Sequence, residues 1–241
     1  MSQLANEFTI EPQPDEVSCG ASCLHAVYRY FGEPSKIEEV QAEIAQLPLG
    51  GTLAVMLARH ALGRGYRTTI YTCNLQIFDP SWFVAGGPSI EERLRSQAAI
   101  KEDEKLQWAT PHYVDYLECG GELRMEEVTL DLLDELLGHR LPVICGLSAT
   151  WLYRAVRERP EDSEPDDLLG EPTGHFVVLT GIDRETEEVH VADPYRHDPY
   201  PGAHHYRIGA QRFIASILLG IVTYDAKLLV IEPPTSDAPE P

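Results

Sequence analysis

Cys19 is the residue whose setting most invites chemistry, because apolar side chains at 23, 24, 27, 28 and 31 recur at helical spacing behind it. It therefore opens a predicted helix, with Ser18 as the expected N-cap and Gly32 followed by Pro34 as the stop. Unpaired N–H groups and the helix dipole favour negative charge at such a start, and so favour a thiolate. A thiol of pKa about 8.5 is only a few per cent ionised at neutral pH, whereas an imidazolium partner can bring it to roughly 3.5–7.5. A nucleophilic Cys19 needs a histidine.

Of nine histidines, His175 is the best placed: it follows Gly174 at the entrance of the apolar run 176–182, the strongest strand signal in the chain. A polar turn at 183–188 separates this run from a second one at 189–192, so the two read as an antiparallel hairpin. Asp193 ends its return strand, where a carboxylate can fix the tautomer and orientation of an imidazole. An odd-length loop centred on Arg184 would set His175 and Asp193 opposite one another on one face. Gln13, six residues before Cys19, can offer its side-chain amide to an oxyanion beside the nucleophile. One such donor is typically worth about 2.7–4 kcal/mol in the transition state.

Several elements must carry these side chains. Residues 1–17 read as an extended arm leading into the Cys19 helix, a second helix starts near Ser35, and a third covers 52–62 before the β-branched alternation of 66–73. Residues 74–110 form an insertion, an aromatic loop (Phe78, Trp82, Phe83) followed by a charged helical pattern over 89–106. Helices are expected at 112–117 and 131–137 and strands at 142–147 and 227–231, with an acidic solvated loop at 157–172 and a frayed tail at 233–241. Helices come first and strands later, which predicts an α+β fold, with residues 1–232 as one domain.

Composition limits the partners. The 241 residues carry a formal charge of −20, a sign that repels phosphate backbones and anionic head groups, so nucleic acid and membrane surfaces are excluded as partners. Apolar runs at 176–182 and 214–222 fall short of the ~20 residues that span a bilayer. The first residues have neither the basic nor the apolar region of a secretory signal, and five cysteines without a repeating framework suit free thiols, so a cytoplasmic location is expected. A thiolate mechanism needs no metal or other cofactor.

The segments Gln13-Pro-Asp-Glu-Val-Ser-Cys19-Gly-Ala-Ser-Cys, Gly174-His175-Phe-Val-Val-Leu-Thr-Gly-Ile-Asp183 and Val191-Ala-Asp193-Pro194 resemble the C-39 family of papain-like cysteine peptidases, in the same order of Gln, Cys, His and Asp. Residues 142–148 and 217–225 resemble its stand-alone bacterial branch, so the likeness covers most of the chain. The resemblance implies a papain-like fold with the catalytic helix packed on an antiparallel sheet. It implies Cys19 as nucleophile, His175 as general base and acid, Asp193 as orienter and Gln13 in the oxyanion hole. Better-known relatives are the leader-peptide-processing domains of membrane transporters, and this chain has neither membrane segments nor a nucleotide-binding loop.

Plainer roles compete at other positions. Cys23, one turn after Cys19, is placed to be a resolving thiol but is expected to pack in the core, as are Cys73, Cys119 and Cys145. His197, His204 and His205 near Asp198 read as a polar surface loop rather than a metal site. The acidic loop is solvated, yet ends just before His175 and can attract a basic peptide. Phe78, Trp82 and Phe83 are expected to pack the insertion onto the domain. The favoured activity is a cysteine peptidase or amidase acting on a peptide. Two alternatives stand beside it: an acyltransferase using the same thioester, and a catalytically silent peptide-binding module.

Overall fold

In the computed structural model, which describes residues 3–47, 50–196 and 204–234, the chain folds as a mixed α+β protein. Helices α1 (Gln3–Glu7), α2 (Cys19–Tyr30), α3 (Ile37–Glu43) and α4 (Ala54–Gly63) precede strand β1 (Arg67–Thr72). Helices α5 (Ile90–Ala98) and α6 (Glu104–Glu118), strand β2 (Glu122–Arg124) and helix α7 (Leu130–Gly138) lead to β3 (Val143–Ser148) and the short α8 (Ala149–Tyr153). The hairpin β4 (Gly174–Asp183) and β5 (Glu188–Ala192) follows, then β6 (His205–Gly209), α9 (Ala210–Leu219), a 3-10 turn (Gly220–Thr223) and β7 (Lys227–Glu232).

The strands form one seven-stranded sheet in the order β2-β1-β7-β3-β4-β5-β6, antiparallel throughout except for the β1–β2 pair. Both faces are covered, which explains why the central strands read as continuous apolar runs rather than alternating ones. One face, with Phe176, Val178, Ala192 and Leu229, packs under α2, α4 and α6. The other, with Cys145, Val177, Leu179 and Val191, packs under α7, α8 and α9. The site is built at one end of β4, where both layers meet.

Helix α2 begins at Cys19 as its periodicity predicts, and ends where Gly32 takes a left-handed φ of 84°. Ser18 does not cap it: its hydroxyl accepts from the Asp15 N–H and donates to the Asp15 carbonyl, both at 3.2 Å, closing the turn before the helix. The first turn is thus left without a side-chain cap. Helix α2 lies on β4, with Gly20 against the Phe176 ring and the Cys23 thiol donating to the Phe176 carbonyl at 3.3 Å.

Other expectations are redrawn. The arm 1–17 contains α1. The charged pattern over 89–106 divides at Asp103, whose side chain caps Leu106 and starts α6. That helix absorbs the separate helix expected at 112–117 by running through Pro111, beside which the Thr110 hydroxyl donates back to the Leu106 carbonyl at 2.8 Å. Phe78 is buried and stacks edge-on against Phe83 and Tyr113, so the aromatic residues of 74–110 pack the segment onto the core. Residues 157–172 form an exposed loop pinned by bridges from Glu158 to Pro165 and Glu171. Of the tail 233–241, residues 235–241 lie outside the described residues.

The β4–β5 hairpin departs from the expected register. Near the turn, Asp183 pairs with Glu188 and Gly181 with His190, whereas beyond it Leu179 pairs with Val191 and Val178 with Ala192. A β-bulge at Thr180 absorbs the difference. His175 and Asp193 are therefore not directly opposite; they are diagonal neighbours on one face.

Candidate active site

His175 is buried on the edge of the sheet end, and its Nε2 lies 2.9 Å from Asp193 Oδ1. Asp193 is itself buried and fully engaged. Its Oδ1 also accepts the Tyr195 N–H at 2.9 Å, and its Oδ2 accepts the hydroxyls of Tyr153 and Tyr206, each at 2.7 Å. Its backbone is clamped by the residue before β6, the N–H donating to the His204 carbonyl and the carbonyl receiving His204 Nδ1, both at 2.9 Å. The rings of Tyr153 and Tyr195 stack on each other and flank the imidazole at 6.0 and 5.7 Å. A carboxylate held by four donors stays ionised: burial alone would raise its pKa, but the His175 charge and the hydrogen bonds hold it below the usual range.

With Nε2 committed to Asp193, Nδ1 is the ring nitrogen left for the thiol. Cys19 lies within electrostatic reach of the His175 ring. Burial disfavours the imidazolium, but the Cys19 and Asp193 charges outweigh it, and the His175 pKa is pushed up to about 10. Cys19 is half-buried at the uncapped start of α2. Imidazole and carboxylate are thus brought together from two separate stretches of chain, with the Cys19 end of α2 within electrostatic reach.

Gln13 is buried on the Asp193 side of this group, its N–H donating to the Pro194 carbonyl at 2.7 Å. Its side-chain Nε2 donates to the Asp15 carbonyl at 2.8 Å, in the turn that leads to Cys19, and its Oε1 has no partner. One amide hydrogen is spent on the turn and the second is not. Beside the strand end that carries His175, where Ser148 pairs with Gly174, a groove of about 460 Å³ is lined by Ser148, Thr150, Trp151, Pro172 and Val222. Trp151 and Val222 are half exposed there.

The remaining residues singled out by sequence separate from this group. Cys23 is fully buried and its thiol is held well above the ordinary range by burial, as is that of Cys145. Cys73 is half-buried and Cys119 is exposed, so neither packs as a fully buried core thiol. His197 and Asp198 lie outside the described residues, His204 holds the Asp193 backbone, and His205 lies on β6. Among the described residues no cluster of three or more His, Cys, Asp or Glu side chains is arranged to hold a metal ion. No helix among them is long and apolar enough to cross a membrane. Sequence reasoning missed Tyr153 and Tyr206. The first lies in a five-residue helix too short to show a period, the second in an edge strand after a polar stretch.

No protein-family model matches the chain, and no curated protein matches it. Among solved structures it is similar to the peptidase domain of Streptococcus ComA, a bifunctional ABC transporter of a quorum-sensing pathway, at 14% identity and a TM-score of 0.45 over 94% of this chain and 98% of that one. It is similar to a double-glycine-motif protease of an AMS/PCAT transporter, solved with its leader peptide, at 14% identity and a TM-score of 0.44 over 93% and 91% of the two chains. It is also similar to a protein described as a C-39-like peptidase from Bacillus anthracis, at 15% identity and a TM-score of 0.48 over 96% and 98%.

Proposed function

We propose that this protein is a papain-like cysteine peptidase or amidase that cleaves a peptide, with residues 1–232 as one catalytic unit. The observation that carries the reading is the His175–Asp193 pair, closed at Nε2, with Cys19 within electrostatic reach of the ring, in surroundings that favour the imidazolium. In that state the thiolate attacks the amide carbonyl carbon and forms a C–S bond. The Gln13 amide and the Cys19 N–H stabilise the oxyanion. As the C–N bond breaks, the proton on His175 Nδ1 passes to the leaving amine, leaving a thioester. The neutral imidazole then takes a proton from water, and the hydroxide equivalent releases the acid and restores the thiol pair. Asp193 holds the ring in one orientation throughout.

The rim is acidic: Glu16 and Glu158 lie within electrostatic reach of each other and of Tyr195 beside the imidazole. This favours a peptide with basic residues near the cleaved bond. The five free cysteines, with no disulfide among them, fit a reducing compartment, and we place the activity in the cytoplasm. The experiment that tests the function is a peptide-library digestion with wild type and Cys19→Ala in parallel. Cleavage by wild type alone is the expected result; identical peptide patterns from the two would overturn the reading.

A further inference from the structure

Asp225 has the marks of a built feature outside the Cys19, His175, Asp193 and Gln13 set. It occupies the turn between the 3-10 segment and β7, and its neighbours Tyr224 and Ala226 both adopt left-handed backbone, with φ of 68° and 59°. Such φ values are costly for residues with a Cβ and persist only where the surroundings impose them. Here the surroundings are specific. The Asp225 N–H donates to the Gly220 carbonyl at 2.9 Å, and Lys227, almost wholly buried, spends its ammonium on the carbonyls of Tyr224 and Asp225.

Three glycines make room for the side chain. A Cβ at Gly174 would fall 2.2 Å from Asp225 Oδ2, one at Gly146 would fall 3.2 Å from Oδ1, and one at Gly220 would fall 3.2 Å from the Asp225 Cβ. The Thr223 hydroxyl donates to Oδ2 at 2.7 Å. Among the described residues no donor reaches Oδ1. Gly174 immediately precedes His175, so the carboxylate presses on the strand end that carries the imidazole. It does so from the face that bears Phe176, opposite the face on which Asp193 meets the ring.

We propose that Asp225 is a positioning residue for the site, a second carboxylate that supports the His175 imidazolium through the sheet while Asp193 holds it directly. The groups facing Asp225 are Lys227 at the start of β7, Thr223 at the end of the 3-10 segment, His175 on β4, and Lys105 and Tyr113 on α6. Those facing His175 are Cys19, Asp193 and the rings of Tyr153 and Tyr195. Burial raises the Asp225 carboxyl above the usual range, and the Lys227 charge, the Thr223 hydroxyl and then the His175 charge work against that rise, so the ionisations of Asp225 and His175 favour each other. Three kinds of residue, buried lysine, strained turn and close-packed glycine, are thereby accounted for by one charge.

This role rests on the reading of His175 as the base of the site. The test is an NMR titration of the His175 ring in the full-length chain with isotope-labelled histidine, comparing wild type, Asp225→Asn, Thr223→Val and Cys19→Ala. Asp225→Asn is expected to lower the His175 pKa by about half a unit or more. Should that variant not fold, Thr223→Val serves, since removing the donor raises the Asp225 carboxyl further. The small inflection that Asp225 imposes on the His175 resonance then moves to higher pH. A His175 titration unchanged in Asp225→Asn, or free of any such inflection in both wild type and Thr223→Val, overturns the role. If Cys19→Ala alone lowers the His175 pKa, the role fails and the site reading stands. If Asp225→Asn alone does so, the pairing with Cys19 fails and the proposed function falls with it, leaving only the charge coupling between Asp225 and His175.

Discussion

His175 and Asp193 share one face of the sheet because a single extra residue, Thr180, lies in the strand between them. Carried unbroken from the turn, the Gly181–His190 register would set Ala192 against Leu179 and Asp193 against Val178. The Val178 side chain points to the α2 face, away from the imidazole, so the carboxylate would emerge on the wrong side. The bulge shifts the ladder by one residue, and the Thr180 hydroxyl, donating to the His190 carbonyl at 3.2 Å, holds it.

Thiol reactivity reports the pairing without any substrate. At pH 6 an ordinary thiol is about 0.3% ionised, whereas a thiolate paired with imidazolium is largely ionised. Iodoacetamide is expected to label Cys19 first, the exposed Cys119 slowly, and the buried Cys23 and Cys145 only after unfolding. His175→Ala should slow the Cys19 reaction by about 100-fold. Mass spectrometry of labelled peptides over time checks both; equal rates at Cys19 and Cys119 in the wild type would sink the ion pair.

Asp193 should be costly to remove. Truncating one partner of a buried ion pair leaves the other uncompensated, at about 3–5 kcal/mol. Asp193→Ala also strands the hydroxyls of Tyr153 and Tyr206. Urea denaturation should show that loss for Asp193→Ala and about 1.5–3 kcal/mol for Tyr206→Phe, which removes one hydrogen bond to a charged group. Tyr206→Phe should keep rapid Cys19 labelling, because Oδ1 still holds the ring.

Stability should depend on pH in a predictable direction. His175 keeps its proton in the folded state up to about 10, against an unfolded value near 6.5, so folding gains from this site fully below about pH 6.5 and loses the gain as pH rises through 10. Asp193 is the opposite case, its gain present above about pH 3.9 and lost as pH falls through its depressed folded value. The stability gap between wild type and His175→Ala should narrow by at least ~2 kcal/mol between pH 6 and pH 10.5. A gap that stays constant over that range contradicts the assignment.

Much of this was legible in the chain. Helix α2 shows its apolar stripe plainly, so Cys19 falls at its first residue, and the paired runs around 176–182 and 189–192 mark the hairpin. The bulge at Thr180 was not legible, since it inserts one residue into a run that is apolar and β-branched with or without it. The tyrosine clamp was hidden because α8 and β6 are each five residues long. Asp225 was hidden because its carboxylate is met by the Thr223 hydroxyl and the Lys227 charge in a turn too short to show a period, and the glycines that make room for it are far apart in sequence.

Charge at the rim should set substrate preference. Glu158 and Glu16 face Tyr195, and burial with mutual repulsion raises the Glu158 carboxyl above the usual range. Glu158→Lys should lower kcat/KM several-fold for a peptide with Arg or Lys beside the cleaved bond, mainly through KM. The difference should shrink at ~0.5 M salt, where charges further apart than a few ångströms are screened. A neutral peptide should be unaffected. An equal loss on both peptides would point to disturbance of the loop instead.

Under the proposed mechanism, Gln13 separates thiolate formation from oxyanion stabilisation. Its backbone N–H donates to the Pro194 carbonyl, next to Asp193, and its side-chain amide spends one hydrogen on the Asp15 turn that leads to Cys19, with the second unspent. Replacing it by Ala removes a donor needed only once the carbonyl oxygen carries charge. Gln13→Ala should therefore leave iodoacetamide labelling of Cys19 within about twofold of wild type, because alkylation of sulfur forms no oxyanion. The same variant should lower kcat on a cleavable peptide by about 100- to 1000-fold with little change in KM. Gln13→Glu should be as slow or slower, since it keeps the length but places a negative charge where one must develop. Parallel loss of labelling and turnover in Gln13→Ala would mean that the residue shapes the Cys19 turn and not the oxyanion site.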